Sequence, residues 1–157
     1  MNLPIGEAVF EHEHAEILKR IRDLMAQKFS GYVCVTISNN GIEDAALILR
    51  EGKAVAAFYE FLSFNKVVFA ETALEGFLNA CLCKNIVADC YRLAKHQIDL
   101  ILAFNEHLKF KKEYNFVQLE RIKPKKYSTK FAEQVLNVKP QEETRIDVLR
   151  RFGLEKL

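Results

Sequence analysis

The stretch that most constrains the fold lies between Gly31 and Glu60, where two turn signals separate three short apolar runs. In the first run, residues 32–38, β-branched side chains alternate with other residues, as in a strand that buries one face. The sequences Asn-Asn-Gly at 39–41 and Arg-Glu-Gly-Lys at 50–53 contain residues that tolerate the positive φ angles of tight turns. The stretch therefore predicts a three-stranded antiparallel meander.

The third apolar run, residues 54–59, is rich in alanine, with Ala54, Ala56 and Ala57. Alanine side chains fill little of the space above and beside a strand, whereas protein interiors are closely packed. We therefore expect another element to approach this strand closely.

Helical periodicity surrounds the meander, because apolar residues recur at helical spacing on both sides of it. Thr72 and Glu75 match a capping box, which predicts a helix start at that point. Residues 86–91 resemble a fourth strand, and residues 66–70 and 116–122 are candidates for further strands. These patterns predict an α+β fold with a mainly antiparallel sheet of three to five strands. An N-terminal helix and two further helices pack on one face of that sheet, and a helical C-terminal tail follows. The predicted helices cover residues 14–28, 72–82 and 94–105.

The charge is unevenly distributed and suggests where the domain ends. Residues 1–107 carry 10 Lys and Arg against 14 Asp and Glu, whereas residues 108–130 carry 8 against 2. We predict one α+β domain over residues 1–122, followed by a basic linker and short helical tail over residues 123–157. Helices as short as those of the tail are unstable alone, so they must dock on the body, a second copy or a partner.

Composition limits the cellular setting. No apolar run reaches the ~20 residues that a membrane helix needs, and the N-terminus lacks the basic and apolar parts of a signal peptide. The four cysteines lie within apolar segments, which is typical of free thiols rather than of a disulfide framework. The sequence predicts a cytoplasmic protein without a membrane partner.

We find no catalytic or metal-binding pattern. The histidines of Glu11-His12-Glu13-His14 are two positions apart, unlike the H-E-x-x-H spacing of zinc proteases. Cys81 and Cys83 would lie about 200° apart on a helix, so they cannot both face one ion. No general base lies at a spacing from Cys34 that would indicate a catalytic nucleophile. We therefore predict no cofactor, no metal and no enzymatic activity.

Phe58, Phe61 and Phe64 cluster after the third strand and either enter the core or form an exposed apolar surface. We predict that this surface, or an edge of the sheet, pairs with a second copy to give a homodimer. The predicted function is a non-enzymatic interaction or adaptor module with an unidentified protein partner.

An alternative function is nucleic-acid binding by residues 109–130. Cations in this segment can contact phosphates, and aromatic rings such as Phe110 and Tyr114 can stack on unpaired bases. Against this, the acidic body would repel phosphates. The cations are Lys109, Lys111, Lys112, Arg121, Lys123, Lys125 and Lys126.

Several segments together resemble an uncharacterised archaeal protein family of unknown function. The resemblance covers roughly residues 3–107 and rests on Leu3-Pro4-x-Gly6, Phe29-Ser30-Gly31-Tyr32-Val33, residues 42–59 and residues 97–105. The order of the strands and the charged-Gly turn is also distantly similar to the PATAN domain, a signalling-associated interaction module. These resemblances imply an adaptor-like module and no catalytic residue.

Overall fold

The computed structural model describes residues 2–39 and 41–137, which form seven strands and five α-helices. The strands are β1 (Glu7–Glu13), β2 (Gly31–Asn39), β3 (Gly41–Arg50), β4 (Lys53–Phe61), β5 (Lys66–Phe69), β6 (Ile86–Arg92) and β7 (Lys109–Tyr114). The α-helices are α1 (Ile17–Ala26), α2 (Ala70–Ala80), α3 (Lys95–Phe104), α4 (Phe116–Ile122) and α5 (Lys130–Leu136). Short 3₁₀ turns occupy Leu62–Phe64 and Glu106–Leu108.

All seven strands form one sheet in the order β1-β6-β2-β3-β4-β5, and β7 also pairs with β4. Every pairing is antiparallel, which confirms the predicted type of sheet. The predicted number of three to five strands is wrong. Strand β5 corresponds to the candidate strand at residues 66–70, whereas β1 and β7 were not predicted because they carry many charges and their alternation is weak.

The predicted meander is confirmed. Strands β2 and β3 pair from Gly31 opposite Leu49 to Asn39 opposite Gly41, and residue 40 lies outside the described residues. The second turn places Glu51 at φ 49° and Gly52 at φ 79°. A Cβ atom on Gly52 would also lie 2.4 Å from a backbone oxygen of α1, so both the turn and the packing require glycine.

Helices pack on both faces of the sheet, which corrects the expectation that they share one face. On the first face, Ile21 of α1 and Phe77 of α2 join the main core. On the second face, Ile98 of α3 joins a smaller core with Ile48 of β3 and Phe58 of β4. Because β3 and β4 are covered on both faces, their sequences read as nearly continuous apolar runs instead of alternating.

The alanines of β4 admit close neighbours on three sides, as predicted. Ala54 and Ala56 pair with the two ends of β7, and a register shift falls between them. Ala57 faces the first core and is fully buried. As a result, β5 and β7 share one edge of β4, with β5 beside its C-terminal half.

Two local predictions are wrong. Helix α2 begins at Ala70, so Thr72 lies inside the helix and caps nothing. Residues 116–122 form helix α4 rather than a strand. Asn115 accepts a hydrogen bond from the Gln118 amide at 2.9 Å, and the Gln118 side chain accepts one from the Asn115 amide at 2.8 Å.

Residues 138–157 of the predicted helical tail lie outside the described residues. The division into residues 1–122 and 123–157 stays a prediction. No helix in the described part of the chain is long and apolar enough to cross a membrane.

Candidate interaction surfaces

The three phenylalanines do not form one exposed surface. Phe58 and Phe61 are 5% and 2% exposed and lie on opposite faces of β4, in the second and first cores respectively. Phe64 is 55% exposed. The prediction of a common surface is therefore wrong for Phe58 and Phe61, because β4 is an internal strand covered on both sides.

Phe64 instead belongs to a different apolar cluster, which we call the hairpin patch: Ile42, Leu62 and Phe64. Their exposed fractions are 50%, 45% and 55%. Glu43 pairs with Phe61, so Ile42 at the start of β3 stands beside the 3₁₀ turn that carries the other two residues. The sequence signal was present, since Ile42 precedes the acidic pair at 43–44 and cannot be part of the apolar run that follows.

Carboxylates border the hairpin patch on the second face of the sheet. Asp44 lies two residues from Ile42 and pairs across the strands with Glu60, which lies two residues before Leu62. We call Asp44 and Glu60 the acidic rim. The Thr36 hydroxyl donates to Asp44 at 2.6 Å, so a local hydrogen bond orients this side chain.

The predicted basic residues lie on the surface, but the aromatic residues between them do not. Lys123 is half-buried beside Glu120 at 3.2 Å, and the other six cations are exposed. Phe110 and Tyr114 are buried in the first core, with their rings in edge contact. Tyr127 accepts a hydrogen bond from the Asn39 side chain at 3.0 Å. Residues 109–130 therefore offer cations to a partner, while these rings are used in packing.

Residues 127–136, the tail segment, dock in a groove between α2, β4 and β5, which we call the tail groove. The Phe131 ring packs against Tyr59 and Phe61 at centroid distances of 5.0 and 6.0 Å. The Lys66 ammonium donates to the Val135 carbonyl at 2.7 Å. This answers where the first tail helix packs, which the sequence left open.

A polar cluster lies where the tail segment enters this groove. The Tyr59 hydroxyl donates to the Glu43 carboxylate at 3.3 Å, and Tyr127 lies close to both. Burial raises the pKa of Glu43, and the hydrogen bond from Tyr59 partly offsets that rise. The cluster satisfies polar groups at the end of the first core.

The candidate nucleophiles and ligands do not assemble into a reactive site. All four cysteines are free thiols. Burial, and then the nearby Asp89 and Asp44, raise the pKa of Cys34 to about 12, so this thiol stays protonated at neutral pH. His12 lies in β1, and His14 lies between β1 and α1, so neither histidine is part of a helix. Among residues 2–39 and 41–137, no group of three or more His, Cys, Asp or Glu side chains is placed to hold a metal ion.

Comparison with known families matches residues 1–105, from β1 through α3, to the family described as "Uncharacterized protein conserved in archaea" (DUF2226). The more distant similarity to the PATAN domain stays an expectation. No curated protein matches the chain, and no solved structure does. Because the matched region spans about two thirds of the 157 residues, the chain belongs to this uncharacterised family that is conserved in archaea.

Proposed function

We propose that this protein is a non-enzymatic interaction module that self-associates through the hairpin patch. The observation that carries the proposal is the exposure of three large apolar side chains, Ile42, Leu62 and Phe64, in neighbouring positions. Ile42 belongs to a strand, and Leu62 and Phe64 directly follow the end of β4, so little conformational freedom would be lost on binding. Such a module could act in the cytoplasm with no cofactor.

The apolar character of the patch supplies a driving force for association. Fully burying one large apolar side chain contributes about 1.5–3 kcal/mol, and these three start about half exposed. In a two-fold dimer the same patch is contributed by both copies, so the buried apolar area doubles. Single exposed apolar residues are ordinary, whereas adjacent ones mark interaction sites.

The acidic rim should tune this association. In a two-fold dimer, the rims of the two copies, Asp44 and Glu60, would lie at the borders of the same interface. Like charges repel, and salt screens charges that remain exposed. We therefore expect self-association to strengthen as ionic strength rises.

Sedimentation velocity of the full chain, from micromolar to sub-millimolar concentration, tests the proposal. We expect the 18.1 kDa chain to form dimers, and expect Leu62→Ser with Phe64→Ser to shift it to monomers. Leu100→Ser is the matched control, because Leu100 is also 55% exposed but lies on α3. A wild-type chain that stays monomeric, or a control that weakens association equally, would refute the patch as the interface.

Nucleic-acid binding by residues 109–130 is the second candidate function. Exposure of Lys109, Lys111, Lys112, Arg121, Lys125 and Lys126 favours it, since exposed cations can neutralise phosphates. Because Phe110 and Tyr114 are buried, we expect contacts to the backbone only, without base stacking or sequence preference.

The test is binding of labelled single- and double-stranded oligonucleotides at low and near-physiological salt. We expect affinity to fall steeply with salt, and to fall further in the Lys125→Glu, Lys126→Glu variant. The control variant reverses the charges of Lys19 and Arg22, two exposed cations of α1. Absence of binding at low salt, or equal loss in the control, would exclude a role for this segment.

A further inference from the structure

The tail groove holds its occupant through two kinds of contact that do not depend on the rest of the tail. One is a pair of hydrogen bonds to the occupant's backbone, and the other is a space that accommodates an aromatic ring. The groove is built from α2, β4 and β5, all inside the region matched to the archaeal family, whereas the occupant lies beyond residue 105. Site and occupant therefore belong to different parts of the chain.

Asn79 of α2 forms two hydrogen bonds with the backbone of the tail segment. Its side-chain amide donates to the Ser128 carbonyl at 2.9 Å, and its side-chain carbonyl accepts from the Ser128 amide at 2.9 Å. Asn79 is only 5% exposed, so leaving these groups unpaired would be costly. A side-chain amide that is hydrogen-bonded in both directions to one residue's backbone accepts any residue there except proline, which has no amide hydrogen.

Gly76, one turn earlier on α2, provides the slot for the aromatic ring. A Cβ atom at this position would lie 2.4 Å from Cζ of Phe131 and 2.7 Å from Cδ2 of Tyr59. The ring therefore occupies the space that any side chain at position 76 would take. Since glycine is unfavourable inside a helix, its presence at this point suits a slot that has to stay open.

The occupant has the properties of a separable ligand. Helix α5 has seven residues and no fully buried side chain, so its order depends on docking. It is joined to α4 by the sequence Lys-Pro-Lys-Lys at 123–126, where Lys125 and Lys126 are exposed. A cleft of about 340 Å³ lies along the segment, lined by residues that include Lys66, Val68 and Glu75.

We propose that the tail groove is a peptide-binding site whose occupant in trans is the tail segment of a second copy. The groove binds a segment through its backbone at one residue and an aromatic side chain three residues later, as at Ser128 and Phe131. The chain's own tail is the sequence that the contacts show to fit. In a single chain the tether holds it at an effective concentration of order mM, so the cis arrangement prevails in dilute solution. Exchange between copies requires that one groove be vacated.

Mixing two full-length variants tests this proposal. Phe131→Ala keeps the groove and removes the ring, whereas Gly76→Ala closes the slot and leaves the ring intact. All variants in this test also carry Leu62→Ser and Phe64→Ser, so that the hairpin patch cannot hold copies together. We expect each variant alone to run as a monomer in size-exclusion chromatography with light scattering, and the mixture to give a 1:1 complex. The matched control mixes Gly76→Ala with Phe104→Ala, which removes an exposed phenylalanine of α3 and leaves the groove filled. No complex in the first mixture, or an equal complex in the control, would overturn the proposal.

A second measurement covers the case in which Gly76→Ala does not fold. A labelled synthetic peptide of residues 123–137 is titrated into full-length Phe131→Ala, beside a peptide with alanine in place of Phe131. Binding of the first peptide alone supports the site, and no binding of either overturns it. The mixing test is made without the hairpin patch, and the peptide contains none of its residues, so failure here is distinguishable from failure of the hairpin patch.

Discussion

The two faces of the sheet are closed to different extents. The first face is covered by α1 and α2, and residues of α4 and α5 extend that cover near β4. The second face is covered by α3 and the N-terminal residues at one end only. Along β3, the same face changes from Ile48 and Ala46, which are buried, to Asp44 and Ile42, which are not. The change from apolar to polar residues along a strand thus shows where the covering helix ends. The uncovered part of the second face contains the candidate interface.

The largest expected effect is on the better-covered face. Phe77→Ala in α2 should lower the free energy of unfolding by about 3–5 kcal/mol, because it opens a cavity in the main core. Ile98→Ala in α3 should cost about 2–4 kcal/mol, since the second core is smaller and nearer to solvent. Urea unfolding followed by circular dichroism measures both. Equal costs would mean that the two layers contribute alike.

A pair of substitutions on β3 locates the boundary on the second face. Ala46 is fully buried, so Ala46→Leu should overpack the space below α3 and cost about 1–3 kcal/mol. Asp44→Leu, two residues away on the same face, loses the hydrogen bond from Thr36 but should cost less than about 1 kcal/mol. Unfolding is compared at low protein concentration, because the new leucine enlarges the apolar surface. A tolerated Ala46→Leu would move the boundary closer to α3.

The smallest expected effect concerns one thiol on each face. Burial raises the pKa of Cys34 and of Cys90 to about 12, from the ordinary thiol value of 9.0. Above pH 9 the unfolded chain loses these protons while the native chain keeps them, so stability present below pH 9 is lost as the pH rises toward 12.

Chemical unfolding at pH values between about 7 and 10 measures this slope. We expect Cys34→Ser and Cys90→Ser each to reduce the decline in stability above pH 9. Cys34 lies on the second face, and an unchanged slope in Cys34→Ser would mean that water hydrates this thiol as fully as in the unfolded chain.

The sequence predicted the centre of the fold better than its borders. Strands β2, β3 and β4 and the buried faces of α1 and α2 follow from periodicity and turn chemistry, which are local properties. The capping pair Asn115 and Gln118 was also readable, although the run after it was assigned to a strand. Strand β1 could not be predicted from the sequence, because it pairs with β6 about eighty positions away and shows little local pattern.

The candidate sites depended on which neighbours cover each residue, and a single sequence does not contain that information. Phe58, Phe61 and Phe64 look equivalent in sequence, yet one enters each core and the third is exposed. Similarly, nothing around Gly76 indicates an aromatic slot, because the ring that fills it comes from position 131.

The division of one edge of β4 between β5 and β7 bears on how the protein resists aggregation. An exposed strand can template fibril growth when it is long, flat and free of charge. Here one border of the sheet consists of two short pieces, of four and six residues, and the second piece contains four charged residues. The other border, β1, carries charged side chains and two register shifts. Neither of these borders suits strand-by-strand growth, so we expect high protein concentration to favour contacts between side-chain surfaces over pairing of strand edges.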